Sequence, residues 1–292
     1  MRRRAVLALI AGAAVAAAAV PAAPAPPFRA LALPHGPGGR FRGLSALHLD
    51  ARGQAGLFLS DRGWLFEAQM RRDSGGTATG IEIGGAHRLR GTNGHVLPAP
   101  RADTEAIAVM PGGTILIGFE GSGGGRILSY RWPGGAARRV PVPPDFAAFR
   151  PNGGIEALAA GPDGTLYVIP ETATDGGFPV WRRQGAWTRA GWMPASAGFR
   201  PVAADIGPDG ALWVLERRFG PVPLFASRLR RSAASDLQRW ETVLETPDGR
   251  HGNLEGLCLR RGPCGRIVVS MVSDDNFIAI QRSELVEYTI GA

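Results

Sequence analysis

The chain has 292 residues, 45% of them hydrophobic, which is enough to bury a core in one large domain or two small ones. Its formal charge is +8 and every cation is an arginine; the arginines are scattered and lack interleaved aromatics, which argues against a nucleic-acid partner. Gly (42) and Pro (24) together exceed a fifth of the chain with no collagen period, the composition of a many-stranded β protein with tight turns.

Residues 1–27, "MRRRAVLALIAGAAVAAAAVPAAPAPP", have a cationic start, an apolar Ala/Val/Leu run and then small residues and prolines. That is the plan of an export signal removed from the mature chain, with a twin-arginine route open because the arginines are consecutive. A retained membrane anchor is the alternative, since the run is near the shortest length that spans a bilayer. No later segment spans a bilayer. The expectation is a periplasmic or secreted monomer comprising residues 28–292, its charge +5 once three of the arginines are removed.

One pattern then recurs five times at intervals of roughly 50 to 60 residues, which is the first thing to seek in a chain of this length. "FRGLSALHLDARGQAGLFLSDRG" (41–63) is an apolar run, a turn and a second apolar run, with Ser45 and Ser60 at its open ends. "ADTEAIAVMPGGTILIGFE" (102–120) repeats that shape with Glu105 and Glu120, and "NGGIEALAAGPDGTLYVIPE" (152–171) with Glu156 and Glu171. "FRPVAADIGPDGALWVLERRFG" (199–220) keeps the turn and Glu216 but has Val202 first. "HGNLEGLCLRRGPCGRIVVSMVSDDN" (251–276) has Glu255 first and Asp274 and Asp275 after a longer hairpin.

Each unit predicts two strands joined by a tight turn, with further strands in "GRILSYRW" and "LFASRLRR". A strand-only repeat of about 50 residues is the signature of an all-β propeller with one four-stranded blade per repeat. Five blades are expected. Six is the alternative, the extra blade lying in residues 64–100, and "SELVEYTI" closes the ring against N-terminal strands. A β-sandwich with the same turn density leaves the repeated motif unexplained.

The acids carry the functional expectation. With Asp163-Gly164 read as a two-residue hairpin turn, Glu156 and Glu171 face each other across the strand pair, as do Glu105 and Glu120. Like charges directly opposite are destabilising. Blades also converge on one axis, so Glu105, Glu120, Glu156, Glu171, Glu216, Glu255 and Asp274 are expected at one face of a central channel, compensated by a cation. A hard divalent metal of the Ca2+ type suits an all-oxygen set, with Asn152, Asn253 and Asn276 as further donors. Magnesium or manganese is an alternative, and zinc fits less well because the five histidines show no ligand spacing. The plainer reading is that each acid caps a strand end or pairs with an arginine, Glu216 with Arg217 or Arg218. His95 and His251 read as surface or loop residues. Cys258 and Cys264 flank a Gly262-Pro263 turn and are expected to form a structural disulfide in an oxidising compartment.

"FRGLSALHLD" with "LFLSDRG", "DTEAIAVMPGGTILIGFE", "DIGPDGALWVLERRFG" and above all "NLEGLCL…VSMVSDDNFIAIQRSELVEYTI" resemble the bacterial phytase-like domain family, described as esterase-like activity of phytase. The resemblance covers residues 40 to 290 and implies an exported propeller that hydrolyses phosphoric esters of a small anionic substrate. "GLSAL" carries no acid and the fourth repeat lacks its first one, both departures from the pattern. The resulting expectation is a metal-dependent phosphoester hydrolase working through Glu105, Glu156 and Glu255, with Arg62 and Arg217 clamping phosphate. Two alternatives stand beside it: a lactone or carboxyl-ester hydrolase using one divalent ion, and a non-catalytic propeller that binds a ligand or partner. No G-x-S-x-G elbow is present, which removes the common serine-hydrolase plan.

Overall fold

A computed structural model describes residues 26–149, 153–220 and 224–291. The expected signal therefore falls almost wholly outside the described residues, as does Asn152. Twenty strands form five four-stranded sheets, with four short 3-10 turns and no α-helix among the described residues.

Strand β1 (Phe28–Ala32) is set aside for the last blade. The first blade comprises β2 (Leu44–Leu49), β3 (Ala55–Ser60), β4 (Trp64–Arg72) and β5 (Ala78–Arg88). The second is β6 (Thr104–Val109), β7 (Ile115–Phe119), β8 (Arg126–Tyr130) and β9 (Arg138–Val140). The third is β10 (Ile155–Ala160), β11 (Leu166–Pro170), β12 (Gly177–Gln184) and β13 (Ala186–Pro194). The fourth is β14 (Arg200–Ile206), β15 (Ala211–Phe219), β16 (Phe225–Ala233) and β17 (Glu241–Glu245). The fifth takes β18 (Asn253–Arg261), β19 (Ile267–Asp274) and β20 (Glu284–Ile290), and β1 completes it by pairing Phe28 with Tyr288 and Ala32 with Glu284. The ring closes with the two ends of the chain in one sheet, as expected. The described residues form no sixth blade: residues 64–88 are the outer strands of the first.

Why inner strands read as wholly apolar follows from their position. β7 and β11 are buried at every residue because a neighbouring blade covers each face of the sheet, whereas the outermost β5 alternates between covered and open positions. The core is accordingly divided into five clusters, one at each junction between blades, such as Leu59, Ile107 and Phe119 between the first and second. Inner strands pack in the order β2, β6, β10, β14, β18 and back to β2.

The hairpin turns differ from expectation in one respect that matters. At Pro162-Asp163-Gly164 only Gly164 has positive φ (83°), Gly161 N–H donates to Thr165 O at 2.7 Å, and the loop holds three residues rather than two. The register is thus centred on Asp163, pairing Ala157 with Ile169 instead of Glu156 with Glu171.

The missing half-step is absorbed by a β-bulge, and the same bulge occurs in all five inner strands: between Leu44 and Ala46, Thr104 and Ala106, Ile155 and Ala157, Pro201 and Ala203, and Leu254 and Gly256. The bulged residues are Ser45, Glu105, Glu156, Val202 and Glu255. A bulge leaves one residue without a cross-strand partner and re-aims its side chain.

The residue after each bulge is Ala46, Ala106, Ala157, Ala203 or Gly256, small because it lies where adjacent blades meet. A Cβ added to Gly256 would lie 2.6 Å from Val272 Cγ1 and 3.0 Å from the Ala46 backbone. Gly256→Ala should lower stability by about 1–3 kcal/mol through overpacking. Urea unfolding measures this, and an unchanged midpoint would show that the junction has slack.

Candidate metal centre

The acids come from two structural positions, both at the end of the ring where the inner strands begin. The first is the bulge, occupied by Glu105, Glu156 and Glu255. The second is the residue just past the bulge's opposite partner. Ser60, Phe119, Pro170, Glu216 and Ser273 pair with the residue before each bulge. The residues that follow them are Asp61, Glu120, Glu171, Arg217 and Asp274.

This layout corrects one expectation and adds a residue. Glu216 does not belong to the ring: it sits one position early, faces the opposite side of the sheet, and is fully buried. Arg228 and Arg230 each grip it with two hydrogen bonds, from 2.7 to 3.1 Å, so its partners are neither Arg217 nor Arg218. Arg217 itself takes the fourth blade's place in the ring, donating to Glu255 and, at 2.8 Å, to Asn253 Oδ1. Asp61 is a ring acid that the pattern reading passed over because Ser60 beside it matched the spacing. Asp103 is another, brought opposite Glu120, whose N–H donates to Asp103 O at 3.1 Å.

Crowding shows in the acids' protonation. Burial, then Glu156, Glu255 and Glu120, push the Glu105 carboxyl well above the usual range. Burial and the adjacent Glu120 do the same to Glu156, which is 8% exposed. Asp61 is raised to about 6 by burial, with Asp103 and Glu255 adding to it, and Asp274 to about 8 by burial and Glu255. Glu255 is raised by burial against the pull of Arg217. These influences run between blades one, two, three and five, so the acids do converge. Glu156 lies against Glu120 and Glu105 against Asp103, each pair close enough to share a proton. Glu171 is placed beside them and meets Arg200 at 3.6 Å.

Carboxylate oxygens of Asp103, Glu105 and Glu120 lie within 4.8 Å of one another. An oxygen-only donor set of this density, with more carboxylates than nearby cations, fits a hard divalent ion such as calcium. The fit is best on the second blade's side of the ring, because Arg217 of the fourth blade already neutralises Glu255 of the fifth.

The remaining residues are placed as follows. Arg62 is exposed and stacks on Phe277, 3.8 Å from the ring centre. Asn253 donates to Glu255 at 2.8 Å, and Asn276 lies in the turn after Asp274. His95 is an exposed loop residue, but His251 is buried, bonded to Tyr288 Oη at 2.6 Å. The expected disulfide is absent: both cysteines are free, Cys258 buried and Cys264 exposed. β18 runs three residues beyond Cys258 before turning, which carries the sulfurs apart, and Leu49 N–H donates to Cys258 Sγ at 3.2 Å. The pair therefore lends no support to an oxidising compartment.

Fold and site together define a five-bladed β-propeller with an acidic channel mouth. A model of the family described as "Phytase-like: Esterase-like activity of phytase" matches residues 39–277, and the chain belongs to that family. No curated protein matches it. Among solved structures it is similar to an endo-arabinase from Bacteroides thetaiotaomicron, at 13% identity and TM-score 0.50 over 90% of this chain and 95% of that one. A protein of unknown function from Dyadobacter fermentans is similar at 14% identity and TM-score 0.46, over 84% and 79%. A luciferin-regenerating enzyme gives 10% and 0.44, over 86% and 94%. At 13% identity the likeness to the endo-arabinase speaks to the fold alone.

Proposed function

We propose that the chain is an exported, monomeric, metal-dependent hydrolase of phosphoric esters acting at the acidic channel mouth. The observation that carries this reading is the convergence of carboxylates from four blades around a ring in which Arg217 holds the fourth blade's place. Family membership supports the ester-hydrolase class, and the character of residues 1–27 supports export to the periplasm or beyond. No helix among the described residues is long and apolar enough to cross a membrane.

In this reading Asp103, Glu105 and Glu120 hold a calcium-type ion, with Asp61, Glu156, Glu171 and Asp274 close enough to serve a second ion or its water shell. The ion supplies charge neutralisation for the phosphoryl oxygens and a lowered pKa for a water. Glu156 lies beside those ligands, against Glu120, and is the carboxylate placed to take the proton of an attacking water and return it to the leaving oxygen, while Glu255 is held by Arg217 and Asn253. Arg217 is held by Glu255 and Asn253, so it faces the ring as a fixed positive group. Arg62 stacks on Phe277 and has no carboxylate partner among the described residues, so its guanidinium is placed to grip an anionic oxygen. A lactone or carboxyl-ester substrate uses the same ion, and a scaffold role uses it for rigidity.

Two measurements test the reading. Aryl phosphate hydrolysis should vanish with a chelator and return with calcium, while turnover of lactones and not phosphates would favour the second reading. Calcium binding by calorimetry should weaken at least tenfold in Glu105→Gln and several-fold in Glu156→Gln. Unchanged affinity in both would remove them from the ligand set.

A further inference from the structure

One cavity has a ring acid in its wall. It measures about 750 Å³, lies where the third blade passes into the fourth, and is lined by Glu171, Thr172, Phe178, Ser196, Phe199 and Arg200 among others. Phe178 and Phe199, each 1% exposed, give it buried apolar surface. The volume is that of a small-molecule site. A phosphoryl group occupies only a small part of such a space, so a head group bound at the ring leaves room beside it for the rest of its ester.

The walls are fixed before any ligand arrives. Glu171 and Thr172 donate their backbone N–H groups to Gly154 O at 3.3 Å and Gly153 O at 3.2 Å. Ala195 N–H donates to Gly176 O at 3.0 Å, which joins the β11–β12 loop to the β13–β14 loop. The buried arginines that share Glu216 grip the second of these loops. Arg230 donates to Pro194 O at 2.9 Å, and Arg228 donates to Ser196 Oγ at 2.8 Å and to Ser196 O at 3.4 Å. Within the loop Ala197 holds left-handed backbone, with φ of 54°, a conformation that persists only where surrounding contacts impose it. The triad therefore also sets the segment that delivers Arg200.

Arg200 opens β14 and pairs in register with Arg217, the fourth blade's ring residue. Its side chain is 64% exposed, and its one carboxylate contact among the described residues is Glu171 at 3.6 Å, too long for a hydrogen bond. Glu171 in turn stands close enough to Glu120, Glu156 and Glu255 to raise all three. A divalent ion at the ring draws on that same negative charge, so ion loading leaves the Arg200 guanidinium with unspent donors at the edge of the cavity. We propose that this cavity seats the alcohol portion of the ester, and that Arg200 selects alcohols carrying a second anionic group. The inference rests on the reading of the ring as an ion-loaded site for the scissile phosphoryl group. A guanidinium suits the role because it presents two parallel N–H groups to a pair of anionic oxygens.

Calorimetry on the calcium-loaded full chain tests this with two non-hydrolysable ligands of one chain length, 4-phosphonobutyrate and butylphosphonate. The phosphonobutyrate should bind about tenfold (about 1.4 kcal/mol) more tightly. That ratio should fall below about twofold in Arg200→Gln, a substitution on the surface. It should keep its wild-type value in Arg218→Gln, which removes a neighbouring arginine tied to Asp248 instead. Equal affinity of the two ligands for the wild type would overturn the subsite while leaving the head-group site standing. A ratio that survives in Arg200→Gln would assign the second anion to a further calcium ion, and one that falls equally in Arg218→Gln would assign it to the general positive field. Either result overturns the role of Arg200. Failure of both ligands to bind would overturn the head-group reading and this inference with it.

Discussion

Glu216→Gln should unfold this protein more readily than any substitution in the acid ring, by about 3–5 kcal/mol, or on the order of 10 °C in Tm. The carboxylate is fully buried and is the shared counter-ion of Arg228 and Arg230, whose side chains are each only 6% exposed. Its removal strands two guanidinium groups. Arg228 keeps Ser196 Oγ at 2.8 Å and Arg230 keeps Pro194 O at 2.9 Å, so they stay solvated in part but lose the charge that makes their burial tolerable. Replacing all three by apolar residues of similar volume should recover most of the loss, because the desolvation cost disappears together with the attraction. Calcium affinity should be unaffected, since the triad lies on the other face of its sheet. Thermal unfolding of the single and triple variants measures the first two outcomes. A Glu216→Gln protein as stable as wild type would mean that the triad's burial is relieved in solution.

The ring acids should behave in the opposite way. In chelated protein, stability should fall as pH rises from about 4 to about 8, and calcium should abolish the fall. The sign follows from proton counts. Asp61 and Asp274 are raised from 3.8 to about 6 and about 8, with burial the first cause in each, so within that window the folded state holds protons that the unfolded chain has released. Below 3.8 both states are protonated; above about 8 both are ionised and the full repulsion is present. Glu105, Glu156 and Glu255 act in the same direction. His251, lowered from 6.5 to about 4 by burial, gives an opposing slope between those two values, which is why the comparison is between chelated and calcium-loaded protein at each pH. The gap in Tm should widen to on the order of 10 °C by pH 8. The same competition requires calcium to release protons on binding, a count that calorimetry in buffers of different ionisation enthalpy reports. A gap independent of pH would show that the carboxyl groups do not share a site with the ion.

Much of this architecture was legible because a period of roughly 50 residues survives in the apolar runs, and because inner strands covered on both faces must be continuously hydrophobic. The face of each strand was harder. A bulge consumes one residue without any mark in composition, so the apparent symmetry of Glu156 and Glu171 about a turn was an accident of a three-residue loop and a bulge together. That same displaced register hid Asp61 behind Ser60 and put Glu216 where Arg217 belongs. Val202 plus fifteen positions falls on Arg217, and a strict count would have found it. Arg228 and Arg230, which claim Glu216, lie on the next strand and are joined to it by sheet pairing that no local spacing reveals. The cysteines failed for a related reason: strand β18 continues past Cys258, so the Gly262-Pro263 signal was real but came too late in the strand to bring the sulfurs together.

The clasp between β1 and β20 has a bearing on how such a molecule comes into being. Its final blade mixes the first described residues of the ring with the last, so no fragment emerging during synthesis can complete the circle. Until residues near 290 are available, five N-terminal residues have nothing to pair with, and the exposed margin of the fifth blade can recruit the same five residues from another copy. Assembly is therefore a late, long-range event, slow by topology and sensitive to crowding among nascent chains.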